Sequence, residues 1–151
     1  MSNSLQNSSS ADRAVIVLGA GGHAKVLLDA LYLAGRKVVG VTDPAMAPGE
    51  DFFGTEVLGN DDAVFSFSSN EVELVNGIGA MPDNNLRWNL MAKMEAKGYV
   101  FARVIHPSAI ISQDVVLEEG VQIMAGVVIQ PNVKIGRSCM INTRVVIDHD
   151  C

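Results

Sequence analysis

Counted in sixes from Ile105, the last third of the chain places an aliphatic residue at every hexad start: Ile105, Ile111, Leu117, Ile123, Ile129, Ile135, Ile141 and Ile147. Four residues after each start stands a small side chain, in turn Ala109, Val115, Val121, Val127, Val133, Cys139, Val145 and Cys151. A register held this long predicts a parallel β-helix, in which each short strand buries one aliphatic residue and tucks one small residue near a corner. The intervening positions are rich in Gly, Pro, Asn, Asp, Ser and Glu, as turns require.

Upstream the period changes. Ala14 to Leu18 (AVIVL) is a continuous apolar run ending at glycines, which predicts a buried parallel strand. Val26, Leu27, Ala30, Leu31 and Ala34 recur at helical spacing from His23 to Ala34, and Gly35 is placed to cap that helix. Lys37 to Thr42 predicts a second strand that delivers Asp43 at its carboxyl end. The segment DPAMAPGEDFFGTEVLGND predicts an irregular excursion with one short strand near Val57, and a weak helix is expected from Asp61. Glu71 to Gly79 predicts a third strand, and Asn84 to Lys97 a helix with an Asn cap and Gly98 behind it. Tyr99 to Val104 is expected to return as a strand leading into the solenoid. This order predicts a small Rossmann-like parallel sheet over 14–104, with ligands beyond the carboxyl ends of its strands. A β-solenoid follows over 105–151, and residues 1–13 read as a disordered polar tail.

Composition narrows the function classes. At 151 residues and 48 % hydrophobic content the chain can bury two modest cores. A net charge of −6 with no Lys/Arg run argues against a nucleic-acid or anionic-membrane surface. A small anion remains an eligible ligand, because backbone amides bind phosphate without net positive charge. No apolar run is long enough to span a bilayer, and MSNSLQNSSSADR lacks the apolar core of a signal peptide. Cys139 and Cys151 both fall on the inward small position, so they are expected as buried reduced thiols in a reducing cytoplasm. Desolvation would then make both poor nucleophiles. The histidines and cysteines show no metal-ligand spacing.

Two motifs carry candidate chemistry. Gly19-Ala20-Gly21-Gly22-His23-Ala24 fits the loose pattern GxGxxA, and Asp43 follows at about the distance of a ribose-binding acid. Glycines there let the backbone approach a diphosphate and aim free helix amides at it; the bland alternative is a tight strand-to-helix turn without a ligand. His23 and Lys25 stand where a standard dinucleotide fold has small or apolar residues, and they suit hydrogen bonds to a phosphate or sugar. A nicotinamide-dependent oxidoreductase would rest on this turn alone. The second motif is His149, at an outward corner position between Asp148 and Asp150. An imidazole of ordinary pKa ~6.5 with an acid to orient it suits a general base; otherwise it is a solvated side chain. Neighbouring strand residues face opposite ways, so both acids need not touch the ring. His106, in HPSA, reads as solvated or as a pocket rim.

GAGGHAKV, VIHPSA, the hexads and NTRVVIDHDC, in this order, resemble bacterial hexapeptide sugar acyltransferases of the sialic acid O-acetyltransferase and bacillosamine N-acetyltransferase type. The resemblance covers almost everything after residue 13. It implies a left-handed β-helix, homotrimers with active sites between neighbouring helices, acetyl-CoA as donor, and a nucleotide-linked amino sugar or sialic acid as acceptor, for surface glycan synthesis. Carried over, His149 would be the general base, Asp150 and Asp148 its acidic neighbours, and Asn142 a side chain positioning the acceptor. Gly19, Gly21, Gly22, His23, Lys25, Asp43 and Gly79 would hold the nucleotide sugar. The family often has Glu where Asp148 or Asp150 stands, and a shorter acid is expected to reach the imidazole less well.

Such proteins continue through several more coils, which build most of the acetyl-CoA site, whereas here His149 is followed by two residues. The β-helix is therefore expected to be incomplete and acetyl transfer impaired. The competing expectation is a non-catalytic module that binds a nucleotide sugar and oligomerises.

Overall fold

A computed structural model describes residues 13–151; the expected polar tail, apart from Arg13, lies outside the described residues. Four strands run parallel: β1 (Ala14–Leu18), β2 (Val38–Thr42), β4 (Thr55–Gly59) and β5 (Val72–Asn76). A short β3 (Asp51–Phe52) adds an antiparallel edge, giving the order β3-β4-β2-β1-β5. Side chains of a strand alternate between faces, and β1 shows both being used. Val15 and Val17 pack with Ala24, Leu27, Leu28 and Leu31 of α1 (Gly22–Leu33). Ile16 and Leu18 pack with Leu90, Met91 and Met94 of α2 (Leu86–Glu95) on the other face. Coverage on both faces explains the unbroken apolar run. Each fully buried Leu contributes about 1.5–3 kcal/mol of burial free energy.

Several expectations shift in detail. Leu28 faces the core whereas Val26 is 46 % exposed, because the buried stripe of α1 is centred one position later. The irregular excursion contains a five-residue strand, β4, since Val57 pairs with Val41 and both are fully buried. The weak helix is a 3₁₀ segment, Asp61–Ser66, capped by the Asn60 side chain, which accepts from the Asp62 amide. At α2 the Asn84 side chain accepts from the Leu86 amide, and Asn85 makes no side-chain cap bond. The strand expected over Tyr99–Val104 shrinks to one bridge, Phe101 against Leu74. The Phe101 backbone is instead taken by the solenoid: its amide donates to Glu119 Oε1 and its carbonyl accepts from the Gly120 amide.

From there the chain coils. β6 (Val104–Ile105), β9 (Gln122–Ile123) and β12 (Met140–Ile141) form one side. β7 (Ile110–Ile111), β10 (Val128–Ile129) and β13 (Val146–Ile147) form the second, and β8 (Val116–Leu117) with β11 (Lys134–Ile135) the third. Every pairing is parallel and joins residues three hexads apart, as in Val128 with Ile110 and Val146. Val121, Ile123, Val127, Ile129, Val133 and Ile135 fill the interior. A left-handed backbone recurs every six residues, at Gly120, Gly126, Asn132, Ser138, Arg144 and Asp150, with φ from 58° to 70°. These are the corners at which the chain turns from one side of the prism to the next.

The buried-thiol expectation is corrected: Cys139 and Cys151 are both exposed. Cys139 stands one coil above the fully buried Val121, and no coil among the described residues overlies it. The hexad register therefore sets the direction of that side chain, while stacking alone would bury it. With both side chains exposed, desolvation does not blunt either thiol.

Candidate functional site

At the end of β1 the backbone turns through Gly19 at φ +94°, a left-handed conformation that glycine adopts without penalty. A side chain there would also press on Ile78 Cγ1, at 3.3 Å from a Cβ. β1 and β5 are neighbours, and the connection leaving β1 packs α1 on one face of the sheet while that leaving β5 packs α2 on the other, so a crevice opens where they part. The crevice holds about 340 Å³ and is lined by the turn Gly19–Gly22, His23, Asp43, Gly77, Ile78, Gly79 and Met81. No side chain caps the first turn of α1, and Gly21, Gly22 and His23 of that turn line the crevice, which leaves its amides available as an anion cradle. Gly77 closes the floor: a Cβ there would lie 2.7 Å from the Leu18 carbonyl oxygen and 3.0 Å from Ala24 Cβ.

Asp43 has partners within the protein. Oδ2 accepts from the Ala20 amide at 3.0 Å and Oδ1 from the Ala45 amide at 2.8 Å. The carboxylate thus braces the glycine turn while forming part of the crevice wall. Lys25 lies over the Phe52 ring, with Nζ 5.7 Å from its centroid, and is not among the residues lining the crevice.

His23 reaches the solenoid. Its Nε2 is 2.7 Å from Gln122 Oε1, and Gln122 Nε2 donates to the Asn76 carbonyl at 2.8 Å. Arg87 knits the same region, donating to the carbonyls of Asn76, Ile78 and Ser138. Burial pushes the His23 pKa below its ordinary value; the bond to Gln122 acts the other way, and the Arg87 charge adds to the lowering. Burial also lowers the Arg87 pKa.

On the outside of the solenoid, between its second and third coils, lies the other cluster. His149 Nδ1 is 2.6 Å from Asp150 Oδ2, and Asp150 Oδ1 accepts from Asn132 Nδ2 at 2.6 Å. The His149 amide donates to Asp148 Oδ1, whose distance to Nε2 is 3.8 Å. Asp150 therefore grips the ring, while Asp148 holds the backbone. The shorter acid does reach the imidazole, from a left-handed backbone at Asp150 (φ 61°). Hydrogen bonds from Asn132, then from His149, hold the Asp150 pKa below the usual carboxylate range. The ring is two-thirds exposed, with Nε2 left open. Asn142 is exposed, and its backbone oxygen accepts from the Val145 amide. His106 Nδ1 accepts from the Ser108 amide, which ties down the turn where the solenoid begins.

Sequence reasoning missed Gln122, Asn76, Arg87 and Asn132. Asn132 was accessible, because it stands one coil below Asp150 at the same corner. Gln122 gave no such signal, since its hexad position is buried at Val104 but exposed at Ile110, Val116, Lys134 and Val146.

With this geometry in place, the similarities are informative. Residues 14–94 match the PglD N-terminal domain, and residues 114–149 match the bacterial transferase hexapeptide (six repeats). The structure is similar to a histidine-to-alanine mutant of GDP-perosamine N-acetyltransferase from Caulobacter crescentus in complex with CoA and GDP-perosamine. That match has a TM-score of 0.81 and 38 % identity, and it covers 91 % of this chain and 64 % of the other. PerB from the same organism, also with CoA and GDP-perosamine, matches at TM-score 0.76 and 39 % identity over 91 % and 64 % of the two chains. The acetyltransferase domain of PglB from Neisseria gonorrhoeae matches at 0.81 and 26 % identity over 92 % and 66 %. The present chain thus spans a little under two thirds of the length of these structures. Its fold is a Rossmann-like parallel sheet followed by the left-handed parallel β-helix of hexapeptide transferases.

Proposed function

Because the chain belongs to the family of the PglD N-terminal domain, here joined to transferase hexapeptide repeats, we propose that it moves an acetyl group from acetyl-CoA to the amine of a nucleotide-linked sugar, in surface glycan synthesis. The carrying observation is the Asn132–Asp150–His149 chain of hydrogen bonds, which orients an imidazole and leaves Nε2 open. Support for the substrates comes from the similar structures, which hold CoA with GDP-perosamine, or acetyl-CoA. Those with GDP-perosamine are N-acetyltransferases, hence the choice of nitrogen as acceptor.

In this reading the crevice takes the nucleotide. The helix amides and the glycine turn meet the diphosphate, while Asp43 keeps that turn in shape. The sugar amine attacks the thioester carbonyl as His149 Nε2 removes its proton, so that a C–N bond forms and the C–S bond breaks. The imidazolium, steadied by Asp150, returns the proton to the departing CoA thiolate. Backbone amides stabilise the oxyanion, and no covalent acetyl-enzyme is needed. Outward-facing Ile110, Val116 and Val146, each more than half exposed, suit packing against further copies of the chain as a homotrimer.

The decisive experiment is turnover by the 151-residue protein with acetyl-CoA and a panel of nucleotide-linked amino sugars, alongside His149→Ala. Acetyl transfer by the wild type, at whatever rate, that is lost in the variant is the supporting outcome. Calorimetric binding of a nucleotide sugar without binding of acetyl-CoA would instead favour the non-catalytic module.

A further inference from the structure

Gln122 belongs to the solenoid strand β9, yet it is 1 % exposed and bonded to two residues of the α/β sheet domain. The polarity of this chain of contacts is determined. The Asn76 carbonyl can only accept, so the Gln122 atom 2.8 Å from it is the amide nitrogen. Oε1 must then face His23 Nε2, and at 2.7 Å an acceptor there requires a hydrogen on that ring nitrogen. The Asn76 side chain is also fixed in place. Its Nδ2 donates to the Arg87 carbonyl and its Oδ1 accepts from the Ile78 amide. The half-buried ring, beside a guanidinium, favours its neutral form. A neutral imidazole protonated at Nε2 has a bare lone pair at Nδ1, and no described residue hydrogen-bonds that atom.

We propose that Gln122 is a positioning residue that holds His23 as the Nε2–H tautomer, so that Nδ1 offers the crevice an acceptor and selects a donor group on the ligand. A hydroxyl or ammonium satisfies it. A phosphate oxygen does not, since two lone pairs would face each other. The diphosphate is thereby left to the amides of the glycine turn, and His23 reads the ligand's sugar hydroxyls or amine. The ligand class rests on the nucleotide-sugar reading above, whereas the tautomer does not.

Long-range proton–nitrogen correlation on the full-length protein labelled with nitrogen-15 histidine, without ligand and just above neutral pH, reads the tautomer directly. One protonated-type nitrogen at Nε2 and one bare-type nitrogen at Nδ1 of His23 are expected. In Gln122→Met, which keeps length and loses both hydrogen bonds, the two nitrogens should move toward a common averaged position. Titration with GDP-mannose as the probe should show binding about fivefold weaker in that variant, the loss of one neutral hydrogen bond. A wild-type ring protonated at Nδ1, a spectrum indifferent to Gln122→Met, or unchanged affinity overturns the inference. If Gln122→Met fails to fold, the wild-type spectrum alone decides. Failure of the wild type to bind GDP-mannose would overturn the nucleotide-sugar reading, and the spectrum would still judge the tautomer.

Discussion

Asn132 and Asp150 occupy the same corner of successive coils, and the amide of the first donates to the carboxylate of the second at 2.6 Å while that carboxylate holds His149. Both backbones are left-handed, at φ 60° and 61°, so Asn132→Gly deletes the amide without disturbing the turn. Turnover is expected to fall about tenfold, as when an orienting partner is removed one step from a reactive group. The Asp150 carboxyl pKa should rise toward its ordinary range, because Asn132 is the larger cause of its lowering. In the wild type the ionised carboxylate favours the fold fully above its unfolded pKa of ~3.9. That contribution is lost as pH falls through the lower folded value. A carbon-13 carboxyl titration of both proteins checks the shift; coincident curves would contradict it.

His23 carries a second pH dependence. Its folded pKa is pushed below the unfolded ~6.5, mainly by burial. The unfolded chain therefore binds the proton more readily, and stability is full above about pH 6.5 and declines as pH falls through the folded value. Melting temperatures across this range should show the decline in the wild type and lack that component in His23→Asn.

Gly77 is a steric keystone of the crevice floor. In Gly77→Ala the new methyl meets the Leu18 carbonyl oxygen at 2.7 Å and Val17 Cγ1 at 2.9 Å, both residues being fully buried. A loss of about 2 kcal/mol is expected, from strain in a packed core. Gly136→Ala, where nothing lies within 4 Å of the added carbon, should stay within about 0.5 kcal/mol of the wild type. Denaturant unfolding of the two variants makes the comparison.

Arg144 holds a left-handed corner at φ 61° that suits glycine, as at Gly120 and Gly126. Its side chain is exposed. Arg144→Gly is expected to stabilise the protein by about 1 kcal/mol through relief of the Cβ clash, visible as a raised denaturation midpoint.

Periodicity alone determined the two-part architecture of this protein. The sixfold spacing from Ile105 to Ile147 fits one winding only, because a slip of one residue would turn every aliphatic side chain outward. The run from Ala14 to Leu18 likewise demanded cover on both faces. Local spacing also placed His149 beside Asp150 and Gly19 at the end of a strand. Tertiary structure decided which neighbours matter. It chose Asp150 over Asp148 as the acid that grips the ring. It turned Asp43 to brace the glycine turn, sent Lys25 to Phe52, and left Cys139 exposed although the register points it inward. Above all it brought Gln122 to His23 across ninety-nine residues of chain, a meeting created by the docking of a solenoid against a sheet. Periodicity reports which way a side chain faces within its own element; what it meets there depends on how the elements pack.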